Sequence, residues 1–283
     1  MIDSKVRLTG NGYTVTLKDS ADGLHRQPGG GGWGMAPVVN SWFEGAGDGE
    51  QLRGVRRTRR ELQIPISAFG ADRAEVEDNI RSLVRVIRGP FQVHVDYSNG
   101  ESFWIEATYD SGLEGVYTVA PEHWNEATII LKCPDPYWTS DASQAFVIAP
   151  TPADAPFIPL LAGLHVASAA AFGTVGVSNV GDVESRPTWI IHGPGAALHI
   201  AVNGVGLVLN KTFLSTDIVT IKYEGGGWTI KDQAGVNQYP YLDPAPVFPV
   251  LPPGGSIVTA SMTSTGTETY IQCVYPERRE VVY

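Results

Sequence analysis

The side chains able to do chemistry are scattered along this chain rather than grouped. Its six histidines are His25, His94, His123, His165, His192 and His199, and no two form an HxxxH or HxH pair. A zinc site needs three or four ligands converging from such spacings. His192 and His199 flank a Gly-Pro-Gly turn, but no third ligand can be named beside them. No G-x-S-x-G elbow offers a serine nucleophile. The glycine run at 29–32 lacks the Lys-Ser/Thr ending with which a phosphate loop grips its nucleotide. Carboxylates are numerous and dispersed. A glycosidase pair has no short motif and could lie hidden among them, but with no motif in its support glycan-degrading activity ranks last among the readings. Cys133 and Cys273 are far apart and form neither a disulfide framework nor a zinc spacing; they read as buried, reduced thiols. No catalytic residue, metal ligand or cofactor is assigned, and the chain reads as a non-enzyme.

Two groups of residues suit binding instead. Arg53, Arg56, Arg57, Arg59 and Arg60 form the one basic cluster, at the spacing of an extended strand feeding Leu62, Ile64 and Ile66. The formal net charge is −10, which disfavours a nucleic-acid partner. The arginines read better as a face meeting acidic residues of a neighbouring subunit, an environment where arginine is enriched. Trp33, Trp42 and Phe43 lie in a glycine-rich stretch, residues 19–50, which reads as an arm offering aromatic anchors to a partner. Further along, Trp189, Trp228, Tyr239 and Tyr241 are rings of the kind on which sugars stack. Their competing role is ordinary strand core.

The elements that position these groups are mostly strands. The 283 residues include 32 glycines and 20 prolines, with 43% hydrophobic and 18% charged residues, a globular composition rich in turns. Val6, Leu8, Tyr13, Val15 and Leu17 alternate around an Asn11-Gly12 hairpin signal. One helix is expected over 72–88: Asp72 caps it, Glu75 follows three residues later, and Gly89-Pro90 ends it. Its expected apolar face is Val76, Ile80, Leu83, Val84 and Ile87. A hairpin follows, with Phe91 to Tyr97 returning through Phe103, Ile105 and Ala107, and then strands near 115–120 and 124–133. Pro134 and Pro136 stop the last of these and mark a seam. Beyond it seven short alternating strands predict a β-sandwich of jelly-roll type: 186–192, 197–202, 206–210, 218–223, 228–231, 256–263 and 268–274. Six prolines between 239 and 255 predict a long rigid loop. The expected fold is mostly β with one main helix: an α+β domain over 1–138, then a β-sandwich over 139–283. No apolar run reaches the ~20 residues that would span a membrane. No secretory signal is visible at the N-terminus, so synthesis in a cytoplasm is expected.

The strings "DPYW" at 135–138 and "NVGDVESRPTWIIHGPG" at 179–195 sit in a telling order of parts. A glycine-rich arm comes first, then an arginine-bearing strand, one helix, a hairpin, a proline stop and a β-rich second half. This resembles the distal tail (Dit) proteins of long-tailed, non-contractile bacteriophages, over nearly the whole chain. The resemblance implies a structural virion protein at the phage tail tip, assembled as a ring that is usually a hexamer. The N-terminal domain would build the ring around a channel through which DNA passes without specific binding. The C-terminal domain would be a galectin-like or carbohydrate-module-like sandwich. Implied partners are the tail tube protein, a tail-tip hub or tail-associated protein and receptor-binding proteins, with no membrane. Trp33, Trp42, Phe43, Arg56, Arg57, Arg59 and Arg60 are the candidate subunit contacts. The competing reading is a carbohydrate-binding protein that recognises host cell-wall glycan through Trp228, Tyr239 and Tyr241.

Overall fold

Asn11 and Gly12 both take positive φ, 51° and 79°, the geometry a two-residue hairpin turn requires. They join β1 (Ser4–Gly10) to β2 (Tyr13–Leu17), which pair from Val6↔Leu17 to Gly10↔Tyr13. The computed structural model describes residues 4–18, 23–45, 47–114, 124–149 and 173–282. The strand expected near 115–120 lies outside them.

The first unit continues with β3 (Leu24–Arg26), β4 (Val38–Glu44), β5 (Glu50–Arg57) and β6 (Arg60–Phe69). The single helix α1 (Arg73–Ile87) follows, then β7 (Phe91–Tyr97), β8 (Ser102–Ser111), β9 (Trp124–Cys133) and the first residues of β10 (Trp138–Ile148), a strand that runs on past Ala142 into the second unit. Antiparallel pairing runs β2-β1-β7-β8-β9-β6-β3. Its ends meet: Lys18 N–H donates to the Leu24 carbonyl at 2.8 Å, and Arg26 N–H to the Lys18 carbonyl at 3.0 Å. The sheet therefore closes on itself between β2 and β3. β8 gives one half of its free edge to β10, at Thr139↔Trp104, and the other half to β9. Alternate residues point inward. Val6 and Leu8, Leu62 and Ile64, Val93 and Val95, Phe103 and Ile105, and Ile129 and Leu131 build one core with Trp138.

The helix starts as the sequence predicts. Asp72 accepts the Glu75 N–H at 2.9 Å, while the Glu75 carboxylate reaches back to the Ala71 N–H at 2.6 Å. A side chain at this position satisfies a donor the helix cannot. Asp72→Ala is therefore expected to cost the first unit about 1 kcal/mol; an unchanged urea midpoint would show the cap idle. The expected apolar face needs one correction. Val76, Leu83 and Ile87 are buried, but Val86 is the fourth buried residue and Val84 is 39% exposed. The helix lies against β1, β2, β6 and β9.

The basic stretch is not one strand. β5 ends at Arg57 and β6 begins at Arg60. Nor is 19–50 a single arm. β3 pairs with β6 through Arg26↔Ile66, and Gly31 bridges Gln63, so residues 24–36 belong to the body of the unit. Among the described residues of this stretch, it is the β4–β5 hairpin that stands free.

The second unit holds β11 (Gly173–Asn179), β12 (Thr188–His192), β13 (Gly195–Val202), β14 (Val205–Phe213), β15 (Ile218–Glu224), β16 (Gly227–Asp232), β17 (Gly254–Thr263) and β18 (Tyr270–Arg279). All seven expected strands are present. β10 and β11 escape the alternation signal; β10 carries polar residues on both faces through its middle. Sheets β16-β15-β12-β18 and β11-β17-β13-β14 share one core around Trp189, Leu198, Ile221 and Val258, which makes this unit a β-sandwich. The proline-rich loop carries only a short 3-10 turn, Tyr239–Tyr241.

The chain divides into Met1–Ala142 with Arg278–Tyr283, and Ser143–Glu277. The seam read at 138 thus falls four residues later, and residues 278–282 return to the first unit. Ion pairs explain the return: Arg278 to Asp135 at 2.6 Å and Glu280 to Arg57 at 2.9 Å.

Candidate interaction surfaces

Arg60 opens β6 and is fully buried. Its Nε donates to the Pro136 carbonyl at 2.7 Å, one terminal nitrogen donates to the carbonyls of Gly32 and, at 2.5 Å, Gly34, and the other donates to the Glu280 carbonyl at 2.6 Å. Burial pulls its pKa below the ordinary arginine value. The planar fork lets one side chain hold three remote segments together. Gly32 must be glycine for this: its φ is +87°, and a Cβ there would lie 1.9 Å from the Glu61 carbonyl oxygen. Trp33 stacks on Trp138 at 5.7 Å between centroids, and the Arg26 guanidinium lies 4.7 Å from the Trp33 ring. So Trp33, Arg57 and Arg60, expected at a subunit contact, have partners within their own unit, and Arg60 is not on the surface at all. The "DPYW" string is where they gather, with Arg278 5.1 Å from the Tyr137 ring.

Trp42, Phe43, Arg56 and Arg59 are exposed. β4 and β5 pair from Val38↔Arg57 to Glu44↔Glu50, with a bulge that leaves Arg53 without a cross-strand partner. The register puts Val38, Trp42, Leu52 and Val55 on one face of the ribbon, between 40% and 58% exposed. Phe43 and Val39 lie on the other face, where the Arg53 guanidinium covers Phe43 at 4.5 Å. Leu52 and Val55 were not legible as contact residues, because they alternate with arginines in a segment dominated by charge. A two-stranded ribbon alone in water is marginal. One exposing four apolar side chains on one face is built to be covered.

In the second unit the candidate sugar platforms separate. Trp228 stacks flat on Phe248, with centroids 5.0 Å apart and planes at 6°, so one ring face is taken. The Tyr239 hydroxyl donates to the Trp228 carbonyl, and Tyr239 meets Phe248 edge-on. Tyr241 is the most open of the three, 47% exposed, with the Lys211 ammonium 5.9 Å from its ring centre. Trp189 is core. His192 stacks on Tyr270 at 4.0 Å, and no metal-ligand group among the described residues includes it or His199.

His94, Asp96 and Asp141 bring ligand atoms within 4.8 Å of one another. A cation is already there: Arg7 donates to both Asp96 oxygens, at 2.9 and 3.0 Å, and lies 3.8 Å from Asp141. The guanidinium holds the Asp96 carboxyl below its ordinary range, while burial and then Arg7 lower the His94 pKa. The sign follows. Below about pH 6.5 the unfolded chain binds a proton at His94 that the folded chain resists. The contribution of neutral His94 is complete above that pH and is lost as pH falls. Asp96 adds a loss in the same direction below the ordinary carboxylate range. His94→Gln should flatten the fall in urea midpoint between pH 7.5 and 5.5; the same slope in both proteins would refute the assignment.

No protein-family model matches the sequence, and no curated protein sequence matches it. Solved structures do. The chain superposes on the Dit protein of phage SPP1, a paradigm of the hub adsorption apparatus in phages infecting Gram-positive bacteria, with a TM-score of 0.64 and 15% identity. The match covers 96% of this chain and 98% of that one. The chain has the fold of a phage Dit protein. A chain of the phage P2 baseplate in its activated conformation with Ca gives a TM-score of 0.59 at 9% identity, over 99% of this chain and all of that one. Both units belong to the Dit fold, since neither match leaves one out.

Proposed function

We propose that this chain is a distal tail protein: a structural, non-catalytic component of a long, non-contractile phage tail. It forms a closed ring, in our reading a hexamer, which joins the tail tube to the tail-tip apparatus and lets DNA through. The near end-to-end match to SPP1 Dit carries the reading. The uncovered β4–β5 hairpin supports it, because a closed ring of identical subunits needs a projecting face that meets a different face on its neighbour. The net charge of −10 suits a conduit that should not hold nucleic acid. Tail tube protein on one side, and a tail-tip hub protein with receptor-binding proteins on the other, are the partners this role requires.

Light scattering after size-exclusion chromatography tests the ring. A mass near six times that of the 30.4 kDa chain is expected, with a central hole in negative stain. A monomer at all concentrations, also in the presence of tail tube protein, would reject it.

The exposed Tyr241 ring favours one second reading, contact of the sandwich with host-wall glycan. Full-length protein should then sediment with purified host cell wall, and Tyr241→Ala should release it. Failure of the unmodified chain to sediment would remove this reading and leave the first intact.

A further inference from the structure

The first unit carries, besides the bare ribbon, an open groove of about 470 Å³ at the C-terminal end of α1. Its floor and walls are apolar, from Val84, Ile87, Pro90, Tyr109 and Leu113. Arg88 and Glu114 also line it; the Glu114 carboxylate accepts from the Tyr109 hydroxyl at 2.7 Å and the Gly112 N–H at 2.6 Å, which leaves Arg88 as its unengaged charge. Val84 is the helix residue that departs from the expected core face and opens here instead.

The ribbon presents a matching pattern. At its tip Glu44 faces Glu50 directly across the strands, and Asp48 sits in the connecting turn. Like charges opposite one another destabilise a strand pair unless a cation lies near. None of the three carboxylates has a partner among the described residues, and neither has Arg88. Two residue pairs behind Glu44 and Glu50, and so on the same face, come Trp42 and Leu52. Acid ahead of apolar on the ribbon thus answers base beside apolar in the groove. The two surfaces differ, so a contact between them is head-to-tail, the kind that closes into rings.

We propose that the groove of one copy receives the ribbon of the next: Trp42 and Leu52 fill its apolar floor, and Glu44 and Glu50 meet Arg88. This deepens the ring reading above and rests on it.

Charge exchange tests the pairing. Arg88→Glu alone, and Glu44→Arg with Glu50→Arg, should each raise the concentration at which rings form by about tenfold, equivalent to ~1.4 kcal/mol. Combining all three substitutions in one chain should restore assembly. Mass photometry across a dilution series reads the result. A second arm does not depend on charge: chains bearing Leu52→Cys mixed with chains bearing Val84→Cys should give an oxidised dimer that neither gives alone. Rings that ignore the charge reversals and give no mixed disulfide would overturn the docking while leaving the ring reading standing. Unmodified protein that never forms rings would overturn both.

Discussion

Arg60→Ala is expected to destabilise the first unit by about 3–5 kcal/mol, the cost of breaking a buried charged network from one side. The substitution leaves the carbonyls of Gly32, Gly34, Pro136 and Glu280 facing a cavity with no donor. Each buried acceptor without a partner costs about 1–3 kcal/mol, reduced where water can enter. Arg60→Lys should recover only part of the loss. An ammonium is a point of charge and cannot span acceptors spread along the whole guanidinium. Urea unfolding followed through tryptophan fluorescence is a direct check, since Trp33 and Trp138 stack beside the network. A loss below about 1 kcal/mol would mean that solvent replaces the arginine at little cost.

Trp189→Ala should be as damaging in the second unit, about 3–5 kcal/mol, because a fully buried indole leaves a cavity that strands cannot close. Trp189 sits on β12 between β15 and β18, paired with Ile221 and Cys273, and Phe146 meets its ring edge-on at 6.2 Å. Strand registers on both sides fix the backbone around it, so collapse into the space is resisted. In calorimetry this variant should lower the transition of Ser143–Glu277, whereas Arg60→Ala lowers that of the other unit. If both variants shift the same transition, the division into two units does not hold in solution.

The contrast between these two residues says much about what a sequence discloses. Trp189 lies in an alternating run between a proline and a Gly-Pro turn, so its strand was legible, though not whether its ring was core or platform. Arg60 reads as one of five arginines in a row of charge. Nothing local separates it from exposed Arg56 or Arg59, because its acceptors come from residues up to 220 positions away. The helix was legible from its cap and stop, which are local, but its buried face was misplaced by one residue at Val84. The hairpin at Asn11-Gly12 was legible because two positive φ angles in succession favour so few residue types. β10 was not, since a strand polar on both faces has no period-two signature. The candidate contact face was half legible: Trp42 stood out, while Leu52 and Val55 needed the register to place them beside it.

The return of residues 278–282 makes completion of the first unit a matter of timing. During synthesis its strands β1 to β10 emerge first. Arg60 then waits for the Glu280 carbonyl, and the buried Val282 site stays empty, until all 135 residues of Ser143–Glu277 have been translated. At typical elongation rates that delay is roughly 7–27 s. A nascent chain, or one cut short within the sandwich, lacks the closing residues of the unit we assign to the ring. Subunits that are still incomplete would thus be withheld from assembly by their own unfinished fold, with no separate inspector needed.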